Sequence, residues 1–197
     1  MVMIMYYKSV YKSPLGELYL VSEDNVLIET HFESDRYPSK ILNDAQPDPG
    51  LDCMAEAHVW LDRYFAGLRP SPYELRLAPR GTEFRMRVWD ILKAIPYGNV
   101  LTYADVAEII AREKGLESMS AQAVGGAIGH NPIGIIIPCH RVIGSDGGMT
   151  GFGGGIENKI WLLKHEGHGD ELDYSHTGDF WHEKPAQKKR RSTAPSE

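Results

Sequence analysis

The stretch Ile135-Ile136-Ile137-Pro138-Cys139-His140-Arg141-Val142-Ile143-Gly144 decides how this chain is read. Three consecutive isoleucines predict a short buried strand, and Pro138, with no N–H to donate, ends it. Cys139 follows at once, at the point where core gives way to turn, with His140 beside it. The whole chain holds two cysteines, so placing one here calls for a reason. A free thiol becomes a nucleophile only as thiolate, and its ordinary pKa near ~8.5 leaves it mostly protonated. An imidazole is the natural partner, yet neighbours on an extended chain point to opposite faces. The pair therefore needs a bend after Pro138 or a bridging water. A third group should orient the imidazole, and Glu166 in "KHEG" is the best-placed carboxylate on a buried helix. Taken alone, the pair is more economically read as a core cysteine beside a surface histidine.

Outward from this segment the chain divides in two. Residues 3–33 alternate as strands do, in "IMYYKSVYKS", "GELYLVSE" and "NVLIETHF", with turns at Pro14-Leu15-Gly16 and Asp24-Asn25. An acidic, proline-bearing loop leads to "DCMAEAHVWLDRYFAG" (52–67), an amphipathic helix ending at Gly67. "LRPSPYELRLAPRG" reads as a linker with one short extended piece. The expected domains are 1–80, 81–168 and a polar tail, 169–197. The second is mainly helical: Thr82 caps "EFRMRVWDILKAI", Thr102 caps "YADVAEIIAREKG", and Ser118 or Ser120 caps "AQAVGGAIG". The last two helices, joined by a short turn, form a helix-turn-helix pair. A glycine-rich segment, "GSDGGMTGFGGG", and the helix "ENKIWLLKHEG" follow; the tail, with "KKRR", is expected to be a solvated, disordered end. The fold class is α+β.

Composition narrows the function classes. With 42% hydrophobic and 24% charged residues over 197 positions, the chain is an ordinary soluble globular protein. No apolar run approaches membrane-spanning length, and "MVMIMYYKSV" lacks the features of a secretory leader. Cys53 and Cys139, far apart, make no disulfide framework, so a reducing, cytoplasmic setting is expected. The net charge of −6 runs mildly against a nucleic-acid partner. Its distribution weakens that objection. Residues 1–80 carry 8 basic against 12 acidic groups, whereas residues 81–167 carry 8 against 9.

Motif order supplies what composition does not. Pro96, Gly98, Thr102 and Tyr103, then "AVGGA" (123–127), Asn131-Pro132, "IPCHRV" (137–142), Gly151 and "KIWLLKHEG" (159–167) occur in sequence. Together they resemble the O6-alkylguanine-DNA alkyltransferases over about residues 80–168, and the N-terminal part fits the same family more loosely. The resemblance implies a ribonuclease H-like N-terminal domain, a small antiparallel sheet with a helix, and a winged helix-turn-helix-like C-terminal domain. It also implies a monomer that binds double-stranded DNA containing O6-alkylguanine through the minor groove. The damaged base is then flipped into a pocket and its alkyl group passes irreversibly to a cysteine. Carried over position by position, Cys139 is the acceptor, His140 reaches it through a water, and Glu166 holds His140. Asn131 buttresses the turns, Tyr103 donates to the flipped guanine, and the carbonyls near Cys139 and Val142 read its exocyclic amine. Gln122, Ala123 and Gly125 lie on the DNA-facing helix, and Phe152 and Gly153 line the pocket. Neither metal nor cofactor is implied: Cys53, His31 and His58 lack paired-cysteine spacing, and Cys53 reads as helix core.

Two departures matter. The family usually has Arg where this chain has Gln122, which is uncharged and a poorer filler of the gap left by a flipped base. Phe152 stands where Tyr is common and Gly153 where Ser or Ala is, which removes a hydroxyl and opens the lip. Other readings are a damage sensor without transfer, a cysteine hydrolase built on Cys139, His140 and Glu166, and a transcriptional regulator. Sensor relatives carry Trp at the acceptor position, and the chain has Cys139 there.

Overall fold

The computed structural model describes residues 4–32, 35, 39–149, 152–169 and 172. Gly151 of the motif series and nearly all of the expected tail, including "KKRR", lie outside the described residues.

The alternating segments form strands β1 (Tyr6–Ser13), β2 (Gly16–Glu23) and β3 (Val26–Phe32). They pair antiparallel as a meander, and a two-residue strand β4 (Gln46–Pro47) joins β1 in parallel, giving the order β3-β2-β1-β4. The parallel addition comes from the loop expected to be irregular, which turns back across Lys8. Helix α1 (Asp52–Phe65) covers the sheet with Cys53, Met54, Ala57, Trp60, Leu61 and Tyr64, all buried. Full burial of a side chain such as Met54 or Leu61 contributes roughly 1.5–3 kcal/mol before entropy is charged against it. Cys53 is core, as its spacing implied.

Helix α2 (Glu83–Lys93) starts at Thr82, whose hydroxyl accepts from the Arg85 N–H. A two-residue strand β5 (Leu101–Thr102) runs into helix α3 (Tyr103–Glu113). There Thr102 and Asp105 form a reciprocal capping box. Ser120, not Ser118, caps helix α4 (Ala121–Gly129). Strand β6 (Val142–Ile143) pairs parallel with β5, and helix α5 (Ile156–His165) closes the described chain.

The isoleucine run departs from expectation. Residues Ile135–Ile137 are fully buried but are not a strand. Ile133 alone makes a bridge, to Thr30, after which the chain folds into tight turns. The Ile136 N–H donates to the Gly134 carbonyl, Ile137 to Ile133, and Cys139 to Ile137. Ile135 has φ of 68°, a left-handed conformation that β-branched residues seldom take. An apolar run of three specifies burial, not extension, and here the turns satisfy the backbone that a sheet would otherwise pair.

This segment also joins the two halves. The outer edge of β3 is paired at Leu27 with Arg76 and Ala78 of the linker, and at Thr30 with Pro132. The Thr30 hydroxyl donates to the Gly134 carbonyl at 3.0 Å. One hydrophobic cluster runs from Leu18 and Trp60 through Trp89 to Ile137 and Cys139. The two expected domains therefore share a core.

Candidate active site

Cys139, His140 and Arg141 form a single 3-10 turn, so the thiol and imidazole leave the chain about a third of a turn apart rather than on opposite faces. The bend required after Pro138 is present. Asn131 fixes it from the inside: its Nδ2 donates to the Ile137 carbonyl at 2.7 Å and its Oδ1 accepts from the Ile133 N–H. Asn131 also hydrogen-bonds the Cys139 side chain.

His140 is fully buried, with Nε2 2.8 Å from Glu166 Oε1. Glu166 sits at the end of α5 and collects donors on both oxygens. Oε1 accepts from His140, from the Tyr64 hydroxyl at 2.8 Å and from Arg141 Nη2 at 2.9 Å. Oε2 accepts from Arg141 Nε at 2.8 Å and from the Gly98 N–H at 3.2 Å. Burial alone would raise this carboxyl, but His140 and Arg141 together hold it far below the ordinary range, so it is ionised. An ionised acceptor assigns the imidazole proton to Nε2. His140 Nδ1 has no hydrogen-bond partner among the described residues and is thereby the basic nitrogen. Gly98 has φ of 75°, and a Cβ there would lie 3.1 Å from the Glu166 carbonyl. Only glycine lets that loop approach so closely.

Burial also pushes the Cys139 thiol up to about 11, with the Asn131 hydrogen bond and Lys159 working against it and Asp35 adding to it. The same desolvation lowers His140. Lys159 is fully buried, drawn down to about 7 by desolvation, and its Nζ donates to the Val142 carbonyl at 2.6 Å. It also lies 5.8 Å from the Tyr103 ring centroid. Tyr103, the first residue of α3, packs against α4 at Gly125, where a Cβ would stand 3.7 Å from the ring. Cys139, with 7% of its surface accessible, forms part of the wall of an open cavity of about 440 Å³. Asn131, Phe152, Gly153, Phe32 and Asp35 share that wall.

The structure thus brings Cys139, His140, Glu166, Asn131 and Val142 into one cluster, with Tyr103 reached through Lys159 and with Phe152 and Gly153 beside the thiol. Gln122 and Ala123 stand apart, exposed in the first turn of α4. Tyr64, Arg141, Lys159 and Asp35 were not singled out from the sequence. Arg141 and Lys159 lie inside the quoted motifs, so their positions were a signal. Tyr64 and Asp35 come from the other half of the chain, and no spacing links them to Cys139.

Residues 83–168 match the profile of the 6-O-methylguanine DNA methyltransferase DNA-binding domain, and residues 5–79 match the ribonuclease-like domain of the same proteins. The chain belongs to the 6-O-methylguanine DNA methyltransferase family. Similar proteins of this family include the methylated-DNA–protein-cysteine methyltransferase of Methanosarcina acetivorans, 39% identical over 83% of this chain and 99% of that protein. The corresponding methyltransferase of Mycobacterium bovis is 41% identical over 83% of this chain and 93% of its own length. Among solved structures of the family, the Mycobacterium tuberculosis O6-methylguanine methyltransferase superposes with a TM-score of 0.69 at 40% identity, covering 83% of this chain and 93% of that one. The structure of Mycobacterium tuberculosis OGT in complex with DNA gives 0.71 at 40% identity, over 81% and 92%.

Proposed function

We propose that this methyltransferase-family chain repairs DNA by moving the alkyl group of O6-alkylguanine onto Cys139 in one irreversible step. One observation carries the reading: a buried thiol at the wall of an open cavity, in the same turn as a histidine whose proton is fixed by an ionised glutamate. The thiol gives its proton to His140 Nδ1 through a water. Its sulfur then attacks the alkyl carbon in line, the carbon–O6 bond breaks, and the electron pair leaves on the purine. Tyr103 donates a hydrogen bond to the departing guanine as its charge develops, and the proton that His140 took from the thiol is returned through water to the released base. The product is a thioether on Cys139, so each molecule acts once.

Asn131 holds the turns in place. The carbonyls of Cys139 and Val142 accept from the exocyclic amine; Val142 already receives Lys159, and its second lone pair serves the base. Phe152 walls the cavity and Gly153 forms its lip. The start of α4, with exposed Gln122 and Ala123 and half-buried Gly125, faces the minor groove of double-stranded DNA, where small residues permit close backbone approach. O4-alkylthymine offers the same alkyl–oxygen bond as a second substrate. The chain acts as a monomer in a reducing cytoplasm, where both of its free cysteines stay thiols. Among the described residues no helix is long and apolar enough to cross a membrane.

Exposure to duplex DNA carrying labelled O6-methylguanine should leave one methyl per protein molecule on the peptide containing Cys139, and Cys139→Ala should take up none. Label on another residue, or repeated turnover, would refute the assignment. Binding of the damaged duplex without any transfer would instead favour a sensor.

A further inference from the structure

Tyr64 enters the site from α1, in the N-terminal half. Its side chain is fully buried, with the ring stacked on Trp60 at 5.5 Å and edge-on to Tyr97 at 6.0 Å. His165 Nε2 donates to its backbone carbonyl at 2.9 Å. These contacts lock the ring, and a phenylalanine would make the same ones. The hydroxyl is what they do not explain. It donates to Glu166 Oε1 at 2.8 Å and stands 3.4 Å from His140 Nε2. We infer that Tyr64 is a positioning residue of the alkyl-transfer site, whose hydroxyl shares Glu166 Oε1 with His140 and so helps to keep the imidazole neutral, with its proton on Nε2. The inference rests on the proposed transfer to Cys139 and adds a member to its relay.

The physical reason lies in how Glu166 is shared. A carboxylate oxygen with one imidazole donor draws the positive charge of an imidazolium strongly. Here the same oxygen also receives Tyr64 and Arg141, and each donor drains charge that would otherwise bear on His140. The imidazole stays neutral and correctly oriented, with Nδ1 as the acceptor for the thiol proton. The groups facing His140 are Glu166, Arg141, Lys159 and Tyr64, and Cys139 faces Lys159 in turn. Beyond them, Tyr97 lies beneath Arg141 and Arg69, and His165 packs on Tyr64. Tyr64 and Arg69 belong to the N-terminal half, and of these two only Tyr64 touches the carboxylate.

Removing the hydroxyl leaves Glu166 with one donor fewer, and its charge then holds the His140 proton more tightly. In Tyr64→Phe the acid limb of the single-turnover methyl-transfer rate should therefore move up by about half a pH unit or more. That amounts to roughly a threefold loss of rate on the acid side. Trp60→Phe loosens the same packing but keeps the hydroxyl, so it should lower Tm and leave the limb where it is. Coincident limbs for Tyr64→Phe and wild type would overturn the inference, as would an equal displacement by Trp60→Phe. Nitrogen NMR of His140 in the intact wild-type chain gives a second measurement should Tyr64→Phe fail to fold. The neutral Nε2–H form at pH 7 is expected, and an imidazolium or an Nδ1–H form would overturn the inference. Absence of transfer by wild type would remove the proposed function itself, whereas transfer with an unmoved limb removes only the role of Tyr64.

Discussion

Cys139 is prepared by opposing forces. Desolvation makes its thiolate costly, the Asn131 hydrogen bond, Lys159 and a backbone hydrogen bond offset part of that cost, and the Asp35 carboxylate adds to it. Burial lowers His140 as well, which favours thiol and neutral imidazole over an ion pair. In the proposed mechanism, proton transfer is then tied to arrival of the substrate, which protects the thiol from adventitious alkylation. Asp35 is the adjustable member. It accepts the Phe32 N–H and lies 3.4 Å from His31, so Asp35→Asn removes a charge while keeping most of the shape. With less negative charge near the sulfur, the thiolate is favoured and the thiol pKa falls below its present value of about 11. The pH midpoint for Cys139 alkylation by iodoacetamide should move down in Asp35→Asn, and a midpoint that stays or rises would contradict the account. The chemical pair was legible in "PCHRV", because residue types and adjacency survive in sequence. Asp35 was not, since its effect depends on a fold that brings it from more than a hundred positions away.

At the scale of elements, the helix starts were the most readable features. Capping is a local interaction between a hydroxyl and a backbone N–H three residues on, so Thr82 and Thr102 could be found from their neighbours, while the third start was narrowed only to Ser118 or Ser120. Thr102 carries the most weight, because its reciprocal box with Asp105 sets the first turn of α3 and hence Tyr103. Thr102→Ala should cost about 1 kcal/mol in denaturant unfolding. It should also slow transfer more than Thr82→Ala, whose helix start does not carry Tyr103; equal rates for the two variants would argue against this link. The isoleucine run was misread for a physical reason. Ile135, Ile136 and Ile137 are buried by contacts from both halves, and their backbone is satisfied by turns closed within Ile133–Cys139. Hydrophobicity reports burial but not the path of the backbone. The placing of Cys139 and His140 comes instead from the 3-10 turn after Pro138, since an extended chain there would have pointed them apart.

Over the whole molecule, the residues proposed for chemistry and those proposed for delivery of the base are separated. The relay is buried between the two halves, while Gln122 and Ala123 stand exposed at the start of α4. In the proposed reading, a net charge of −6 leaves little general attraction for DNA, so holding an extruded base would fall on local contacts. Gln122 offers neither charge nor a broad stacking surface there. Gln122→Arg should speed repair of O6-methylguanine in duplex DNA severalfold and change the single-stranded rate little, and a duplex rate that is unchanged or slower would dismiss this view of α4. The shared core belongs to the same scale. Thr30 pairs with Pro132 and Tyr64 reaches Glu166, so the N-terminal half is a wall of the site rather than an appendage.

The sequence by itself determined the α+β class, the helix starts at Thr82 and Thr102, the thiol proposed as the acceptor with its adjacent imidazole, and the ordered motifs that mark the family. All of these rest on residue identity and on spacings of a few positions. Tertiary structure alone decided the turn that replaces the expected isoleucine strand, the donors gathered on Glu166, and the arrival of Tyr64 and Asp35 from the other half. Those outcomes depend on which buried polar groups meet across a common core. A buried carboxylate takes whatever donors the packing brings to it, and nothing in the order of residues along the chain records that meeting.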